Sequence, residues 1–278
     1  MSGERRDSMT RATDQEYLLS QQYHNGARLS VRGRLHARFR TNPDGWFAWM
    51  FDQMRIAPES RILELGCGLG WLWLRNRARI PAGWDITLSD FSQGMLAETQ
   101  QRLQDVPHQF AYAVVDAQAI PYPDASFDAV IADHMLYHVP DRARAIAEVR
   151  RVLKPGGRFY ASTISREHFR ALAALVSGHA PDDAMVDQRF PFNLENGGAQ
   201  LAASFAHVTL HRHEDTLVVT EAGPLVAYLA SLSSMSASDT TTDTTEAALA
   251  ALTSRLQTLI TAEGAIRIPN DAGLFEAW

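Results

Sequence analysis

A short apolar run that ends in three closely spaced glycines is the feature of this sequence that most limits its fold. Residues 62–73 read ILELGCGLGWLW, with Gly66, Gly68 and Gly70 followed at once by bulky apolar residues. The apolar run is typical of a buried strand, and the residues from Trp71 onward are typical of a helix. Glycine is needed where a backbone turns sharply or approaches another group closely. The segment therefore predicts a strand, a tight turn and a helix whose N-terminus faces a ligand.

Further short apolar runs follow this turn, and helix-like stretches separate them. Strands that alternate with helices predict crossover connections and a parallel sheet covered by helices on both faces. Two later segments, HVTLHRHEDTLVVT and AIRIPNDAGLFEAW, predict two longer strands. The sequence thus predicts an α/β fold with a doubly wound, mostly parallel sheet. The predicted strands are RILELG, DITLSD, FAYAVVDA, FDAVIADH and GGRFYASTI, and the predicted helices span residues 72–79, 93–103, 141–153 and 167–176.

The chain before the sheet has a different character. Residues 1–14 are polar and charged and are expected to form a disordered tail, followed by an N-terminal helical lid at 15–56. A TNPDG stretch at 41–45 is rich in turn formers, so two helices joined by a turn are expected there. The α/β domain is expected to span residues 57–278, with a solvated Ser/Thr/Asp-rich loop at 233–245.

Composition argues against several classes of protein. The 278 residues are 46% apolar, which is enough for a full core, yet no apolar run approaches the roughly 20 residues that span a bilayer. The N-terminus lacks the apolar centre of a secretory signal, so a cytoplasmic protein is expected. Cys67 is the only cysteine, which excludes an intramolecular disulfide and a cysteine-based metal site. The net charge of -6 argues against a nucleic-acid partner, although arginines cluster between residues 28 and 40.

The glycine turn does not match the common phosphate-binding patterns. The dinucleotide fingerprint G-x-G-x-x-G requires glycine where this chain has Trp71, and no Gly-Lys-Ser/Thr follows for a P-loop. Glu64 lies two positions before the first glycine, where a carboxylate would repel a pyrophosphate. The same carboxylate can accept hydrogen bonds from an ammonium group or orient the loop. The turn therefore favours a ligand with a cationic or zwitterionic end.

Two further acidic residues close successive predicted strands. Asp90 ends DITLSD, where a carboxylate can accept hydrogen bonds from both hydroxyls of a ribose, a role that dinucleotide folds share. Asp116 ends AYAVVDA, where it could accept a hydrogen bond from the exocyclic amine of an adenine. Phe91 and Met95 could contribute apolar contacts to the base. Each acidic residue alone could equally be a helix cap. Because all of them lie at strand ends of one predicted sheet, together they indicate a nucleoside site.

At this point the sequence resembles a known family. The segments ELGCGLG, LSDFSQGML, DAQAIPYPDASFDAVIADHMLYHVPD and EVRRVLKPGGRF resemble the class I S-adenosylmethionine-dependent methyltransferases, most of all the branch that includes the ubiquinone and menaquinone biosynthesis enzymes. The resemblance covers residues 61–163 closely. The flanking segments RLHARFRTNPDGWF and GAIRIPNDAGLFEA are similar to one subgroup of bacterial type-11 methyltransferases.

The resemblance implies S-adenosylmethionine as the cofactor and a seven-stranded sheet whose last strand is antiparallel. The glycines would line the methionine part of the cofactor, Asp90 would hold the ribose hydroxyls and Phe91 would pack on the adenine. Asp133 and His134 would lie beside the sulfonium, and insertions at 165–206 and 221–264 would form part of a substrate lid. The residues expected to bind the cofactor are Tyr23, Glu64, Gly66, Cys67, Gly68, Gly70, Asp90, Phe91, Met95, Asp116, Ala117, Gln118, Asp133 and His134.

Methyl transfer from a sulfonium mainly requires alignment of the reactants and exclusion of water. A general base is needed only if the acceptor must lose a proton. The candidates are His134, Tyr137 and His138, and helical spacing would place the two histidines near one another. These side chains could instead merely pack against the cofactor or cap a helix. From the lid, Tyr23 could cover the sulfonium, and His24, Arg32 and His36 could reach the acceptor. No metal site is expected, because His211 and His213 lack a third ligand.

Three functions remain open at this level. The first is a methyltransferase that acts on O, N or C of a small molecule, such as an aromatic compound or a secondary metabolite. The second is an RNA or protein methyltransferase, supported only by the arginine cluster. The third is a non-catalytic cofactor-binding protein of the same fold. We expect a small-molecule acceptor, no membrane insertion and a monomer or homodimer.

Overall fold

A seven-stranded sheet forms the centre of the protein. The computed structural model describes residues 12–233 and 246–278. The strand order is β3-β2-β1-β4-β5-β9-β6, in which β1 to β5 are parallel and β9 runs antiparallel between β5 and β6. This order confirms the predicted doubly wound, mostly parallel sheet with an antiparallel last strand. The strands are β1 Arg61–Leu65, β2 Asp85–Asp90, β3 Phe110–Val114, β4 Phe127–Ala132, β5 Leu153–Ile164, β6 Val208–His213, β7 Thr216–Val219, β8 Ile266–Pro269 and β9 Ala272–Ala277.

Burial of the central strands on both faces explains their apolar sequences. In β4, five of the six residues are buried, and in β9 all six are. Two groups of buried side chains, one on each face, form the core of the α/β domain. A third group packs beneath the helices that cover one end of the sheet and includes Leu35, Phe39, Leu217 and Leu225. This third core attaches the N-terminal helices to the late part of the chain.

The two long strands predicted near the C-terminus are each split in two. The first becomes β6 and β7, and the second becomes β8 and β9. β7 and β8 leave the main sheet and pair with each other in a separate antiparallel ribbon. Asp215 lies at the break and accepts hydrogen bonds from the Thr216 N–H at 2.8 Å and the Asn270 amide at 2.8 Å. Its carboxylate therefore stabilises both breaks, the one between β6 and β7 and the one between β8 and β9. Alternating hydrophobicity in the sequence does not predict such breaks.

Helices flank the sheet and build the cover above its carboxyl edge. The lid expected at 15–56 contains three helical pieces rather than two, because the chain bends at residues 23–26 after the first piece. Ala12 and Thr13, which were expected to belong to a disordered tail at 1–14, are buried; residues 1–11 lie outside the described part. The helices are α1 Gln15–Tyr17 with a π-helical turn Leu18–Gln22, α2 Ala27–Phe39, α3 Trp46–Gln53, α4 Trp71–Arg75, α5 Gln93–Leu103, a 3-10 turn Leu136–His138, α6 Arg142–Val152, α7 Arg166–Ser177, α8 Asp183–Arg189, α9 Gly197–Ala202, α10 Ala222–Ser233 and α11 Glu246–Glu263.

The boundary between α6 and β5 differs from the predicted one. The Asp141 carboxylate caps α6 by accepting from the Arg144 N–H at 3.0 Å. The helix ends at Val152 and β5 starts at the next residue, so the KPGG stretch lies inside the strand. Gly156, with φ of 78°, accommodates the irregular pairing with β4 there.

Most of the expected Ser/Thr/Asp-rich loop, residues 234–245, also lies outside the described residues. Within residues 12–233 and 246–278, none of the helices combines the length and apolar character that crossing a bilayer requires.

Candidate functional site

The glycine turn after β1 is a bare backbone cradle. Gly66, Gly68 and Gly70 have φ values of 70°, 56° and 66°, a left-handed conformation that other residues rarely adopt. A Cβ atom on Gly66 would lie 2.9 Å from Cβ of Met135. Gly66 and Gly68 line a cavity, which leaves their main chain open to a ligand. Gly70 is not part of the cavity wall, because it packs against Thr99 of α5 and starts α4. Cofactor contact at Gly70 stays a prediction.

Asp90 joins the glycine turn to the next helix. Its Oδ2 accepts a hydrogen bond from the Gly68 N–H at 3.1 Å, and its Oδ1 accepts one from the Ser92 N–H at 2.8 Å. Burial raises the pKa of Asp90 to about 6, although these N–H donors oppose the shift. Each carboxylate oxygen keeps acceptor capacity for a further donor. Asp90 borders the cavity, where it can accept from hydroxyl groups.

Glu64 is a buried acid beneath the cradle. Its Oε2 accepts a hydrogen bond from Nε1 of Trp73 at 2.5 Å, and only 2% of the residue is exposed. Burial raises its pKa to about 8, and the charges of Asp133 and Asp90 add to this rise while the Trp73 bond opposes it. A cation in the cradle would stabilise the ionised form. Glu64 is thus suited to respond to a positively charged ligand.

Asp116, which follows β3, is positioned to bind the polar edge of a planar ring. Asp116 Oδ1 accepts from the Gln118 N–H at 2.9 Å, and Oδ2 accepts from the Gln15 side chain at 3.3 Å. Asp116 and the buried Ala117 both line the cavity. Gln118 does not, because its side-chain amide turns back to Asp116 while its oxygen accepts from the Asp141 N–H at 3.0 Å. The Gln118 side chain thus orients Asp116, and its expected contact with the cofactor stays a prediction.

The end of β4 holds a strained residue. His134 has φ of 51°, which is uncommon for a residue other than glycine. Its N–H donates to Oγ of Ser162 at 2.9 Å, and that hydroxyl donates to Oδ1 of Asp133 at 2.5 Å. Nε1 of Trp46 also donates to Asp133, at 3.1 Å, and the Trp46 ring lies 5.0 Å from the His134 ring. These bonds hold the His134 side chain at the cavity wall.

His134 remains a candidate base. Among the described residues, none forms a hydrogen bond with its ring nitrogens. Burial lowers the pKa of His134 and the neighbouring Asp133 partly offsets that. The ring is therefore neutral and able to accept a proton. It does not share a helical face with His138, because the left-handed residue and the 3-10 turn replace the expected helix.

Both ring nitrogens of His138 form hydrogen bonds. Its Nδ1 donates to the Ala12 carbonyl oxygen at 2.9 Å, so in the neutral ring Nε2 accepts from the Tyr23 hydroxyl at 2.8 Å. Arg32 Nη1 donates to the same hydroxyl at 3.3 Å, and the Tyr23 carbonyl accepts from the Ser92 hydroxyl at 2.8 Å. Burial lowers the pKa of His138 to about 4. In this conformation His138 orients Tyr23, and its expected role as a base remains a prediction.

Tyr137 packs rather than titrates. Its ring lies 4.2 Å from the Phe190 ring and 4.5 Å from the His138 ring. Burial raises the pKa of Tyr137 well above its usual value, so the hydroxyl stays protonated near neutral pH. Tyr137 can donate a hydrogen bond but is a poor base.

These residues border one large cavity of about 1300 Å³. That volume exceeds the roughly 300–1,000 Å³ of typical ligand pockets, so it has room for a cofactor and an acceptor together. His24 is exposed, is not part of this wall and pairs through its ring with the Asn25 amide; its expected contact with the acceptor stays a prediction. The predicted residues that line the cavity are Tyr23, Arg32, His36, Glu64, Gly66, Cys67, Gly68, Asp90, Phe91, Met95, Asp116, Ala117, Asp133, His134, Tyr137 and His138.

The part of the cavity away from the glycine turn is enclosed by α2, α7, α8 and α10. Its wall includes His36, His168, Leu172, Val176, Phe190 and Leu229, and we call it the helical chamber. His168 and Tyr228 were not predicted from the sequence, since a histidine on an amphipathic helix and a tyrosine on an apolar one resemble ordinary core. Nδ1 of His168 donates to the Pro269 carbonyl at 2.8 Å, and Nε2 accepts from Tyr228 at 3.1 Å.

His36 lies in the helical chamber against these two residues. Its ring is 6.2 Å from the His168 ring and 5.6 Å from the Tyr228 ring. Burial lowers the pKa of His36 to about 3, and the nearby His168 and His134 add to the effect. His36 is therefore uncharged, and within the described chain no hydrogen bond reaches its ring nitrogens. No group of three acidic, histidine or cysteine side chains is placed to hold a metal in residues 12–233 and 246–278.

The chain is similar to known methyltransferases. A family described as "Methyltransferase domain" matches residues 63–161. The ubiquinone/menaquinone biosynthesis C-methyltransferase of Bordetella avium is 33% identical over 121 residues, which are 44% of this chain and 47% of that protein. The chain thus spans about half the length of the curated relatives it matches.

Solved structures share the fold. The YcgJ protein of Bacillus subtilis has a TM-score of 0.55 at 16% identity, over 83% of this chain and 96% of that one. Phosphoethanolamine N-methyltransferase 2 of Haemonchus contortus, solved with S-adenosylhomocysteine and phosphomonomethylethanolamine, has a TM-score of 0.56 at 18% identity, over 95% of this chain and 60% of that one.

The site also fits the cofactor of these proteins. The bare cradle leaves space for an amino-acid moiety, Asp90 can accept from ribose hydroxyls and Asp116 can accept from an amine. The described residues of the site therefore fit S-adenosylmethionine. Over residues 63–161 the chain thus matches the methyltransferase domain family and resembles the class I S-adenosylmethionine-dependent methyltransferases of type 11.

Proposed function

We propose that the protein transfers a methyl group from S-adenosylmethionine to a small molecule held in the helical chamber. The observation that carries the proposal is the continuity of the cavity, which joins the glycine cradle to the chamber. When bound, S-adenosylmethionine supplies an electrophilic methyl group on a positively charged sulfur. The protein's residues bind that cofactor, align the acceptor and exclude water.

Within this proposal the roles divide between the two ends of the cavity. Asp90 and Asp116 hold the nucleoside, and the backbone of the glycine turn, with Glu64 beneath it, receives the charged amino-acid end. Tyr23 covers the centre, since its hydroxyl and its carbonyl are both tied to cofactor-side residues. His134 accepts a proton where the acceptor must lose one, because its ring is neutral and unpartnered in the described chain.

The aromatic and aliphatic wall of the chamber favours an acceptor with an apolar ring or chain. Phe190, Leu172 and Leu229 supply most of this surface. A quinone-type ring, as in the relatives' names, would fit that character, but so would other aromatic molecules. Insertions at 165–206 and 221–264 contribute α7, α8 and α10 to the wall, which supports their role as a substrate lid.

The arginine cluster offers little support for an RNA or protein acceptor. Arg38 pairs with Glu221, and Arg32 turns into the cavity instead of facing solvent. These two arginines therefore already have other contacts.

The discriminating experiment measures S-adenosylhomocysteine production. The purified protein and S-adenosylmethionine are incubated together with one acceptor source at a time. These sources are a panel of small aromatic molecules, total RNA and a protein extract. Turnover with a small molecule supports the proposal, whereas turnover only with RNA or protein overturns its acceptor class. Binding of S-adenosylmethionine without turnover across the panel favours a non-catalytic role.

A further inference from the structure

Arg32 is a cation that faces the cavity and is anchored by neutral groups. From α2 its Nη2 donates to the Ser231 carbonyl at 2.9 Å, and its Nε donates to the Ser231 hydroxyl at 3.3 Å. Nη1 donates to the Tyr23 hydroxyl at 3.3 Å. The guanidinium is therefore fixed between α10 and the N-terminal segment. All of these acceptors are uncharged.

No carboxylate lies within salt-bridge distance of Arg32 in residues 12–233 and 246–278. Other arginines of the protein, in contrast, form ion pairs: Arg166 contacts Asp187 at 2.6 Å, and Arg158 contacts Glu276 at 2.6 Å. A cation next to an apolar cavity loses hydration and gains from a negative partner. Arg32 thus leaves an unbalanced positive charge beside the helical chamber.

The neighbours of Arg32 do not cancel this charge. His36, His168 and Tyr228 are neutral, and burial raises the pKa of Tyr228 to about 12. The Asp215 carboxylate also borders the chamber, but it is committed to donors of its own. Its Oδ1 accepts from the Thr41 N–H at 3.0 Å, from the Asn42 N–H at 2.9 Å and from Thr216, and its Oδ2 accepts from Asn270.

The remaining wall defines the rest of the ligand. Leu172, Val176, Phe190 and Leu229 offer an apolar surface for a ring or hydrocarbon body. His36 adds ring nitrogens without a hydrogen-bond partner in the described chain, which can donate to or accept from one polar atom. A ligand matched to this chamber is apolar along its body and negatively charged at one end.

We propose that the methyl acceptor is an apolar, ring-bearing organic anion whose charged oxygen, a carboxylate or a phenolate, lies against the Arg32 guanidinium. This inference rests on the proposed function, because it identifies the acceptor class of the same cavity. The guanidinium has N–H donors to spare beyond the three already used. The acceptor charge would be paired by Arg32, while its ring fills the space between α7, α8 and α10.

The test compares two probes that differ mainly in charge, 1-naphthoate and 1-naphthalenemethanol. Calorimetry measures the affinity of each for the protein saturated with S-adenosylhomocysteine. A charge-assisted hydrogen bond is worth about 1.5–3 kcal/mol, so naphthoate should bind roughly tenfold more tightly or better. Arg32→Gln should abolish this preference, and Arg32→Lys should retain part of it because the charge remains. Arg38→Gln removes an exposed arginine of the same helix outside the cavity and should leave the preference intact.

The outcomes separate the inference from the proposed function. Failure of the wild-type protein to bind S-adenosylhomocysteine would overturn the proposed function itself. If that nucleoside binds but the two probes bind equally, or neither binds, the anionic acceptor class is wrong. A preference that survives Arg32→Gln, in a variant that still binds S-adenosylhomocysteine, would remove Arg32 from the role. Loss of the preference in Arg38→Gln would likewise show that the charge acts from elsewhere.

Discussion

Glu64 connects the stability of the fold to the ligand it holds. Its pKa of about 8 lies above the ordinary value of 4.5, chiefly because burial disfavours the charged form. Between these pH values the folded protein binds a proton that the unfolded chain has released. The free energy of unfolding therefore falls as pH rises through this window. Asp90, raised from 3.8 to about 6, adds a smaller effect of the same sign between those two values.

Replacement Glu64→Gln should weaken this pH dependence. The amide oxygen can still accept the Trp73 hydrogen bond, but it carries no charge when pH rises. Without cofactor, the free energy of unfolding of the wild type should fall by about 3–4 kcal/mol more than that of the variant between pH 5 and pH 8, since one pKa unit corresponds to about 1.4 kcal/mol. Urea unfolding at the two pH values measures this. The exposed Glu59→Gln is the control, and equal slopes for all three proteins would contradict the assignment.

His134 is the second residue whose local conformation points to function. A left-handed residue other than glycine costs about 1–3 kcal/mol, and such strain concentrates at active sites. Ala125, an exposed residue with φ of 53°, provides a comparison away from the cavity.

Substitution by glycine separates strain from chemistry. Both His134→Gly and Ala125→Gly relieve a left-handed residue, with φ of 51° and 53° respectively. Ala125→Gly should leave turnover unchanged, whereas His134→Gly should lower kcat by about 10²–10⁴-fold if the ring moves a proton. Thermal unfolding checks that both variants remain folded, and S-adenosylhomocysteine release on the best acceptor of the panel gives kcat. An unchanged kcat in His134→Gly would exclude the ring as base.

At the scale of elements, the N-terminal segment docks on the cofactor side of the sheet through close backbone contact. Gly94, the second residue of α5, lies beneath the His24 carbonyl, and a Cβ there would be only 2.2 Å from that oxygen. The Ser92 hydroxyl also donates to the Tyr23 carbonyl at 2.8 Å. The lid therefore rests on the start of α5, directly after Asp90.

Gly94→Ala should loosen this docking. A glycine-to-alanine change in a helix normally stabilises by about 0.4–1 kcal/mol, so a lower Tm would report the clash. Gly223, the second residue of α10, supplies the matched control, because a Cβ atom added there would meet no described atom within 4 Å beyond its chain neighbours and its own helix backbone. We expect Gly94→Ala to lower Tm and weaken S-adenosylhomocysteine binding, and Gly223→Ala to do neither. Equal behaviour of the two variants would show that the segment does not need this contact.

Elements differ in how far the sequence could predict them. The strands β1, β2, β4 and β5 are apolar runs closed by glycine or polar residues, and α5 was placed at its observed bounds. The split of the late strands could not be seen, because it depends on side-chain hydrogen bonds of Asp215 to residues distant in sequence. The three-part N-terminal segment was hidden for a similar reason, since it is shaped by contacts with α5.

At the scale of the whole molecule, the sheet and its helical cover enclose one cavity from opposite sides. The cofactor side was predictable because glycines and acids at strand ends have few other uses in an α/β fold. The segments around the helical chamber were expected to form part of a lid, but His168 and Tyr228 could not be identified as lining residues, because they become neighbours only when α7 and α10 meet. For the same reason the sequence could not show that the Gln118 side chain bonds to Asp116 and Asp141, or that the His24 ring pairs with Asn25.

The most direct test of the account is the affinity for S-adenosylhomocysteine measured by calorimetry. The wild-type protein should bind it, and Asp90→Ala should weaken binding by about 1–3 kcal/mol through the loss of charge-assisted hydrogen bonds. Asp85→Ala, an exposed acid at the opposite end of the same strand, should bind like wild type. Absence of binding, together with uptake of a nicotinamide dinucleotide or a nucleoside triphosphate, would contradict the account.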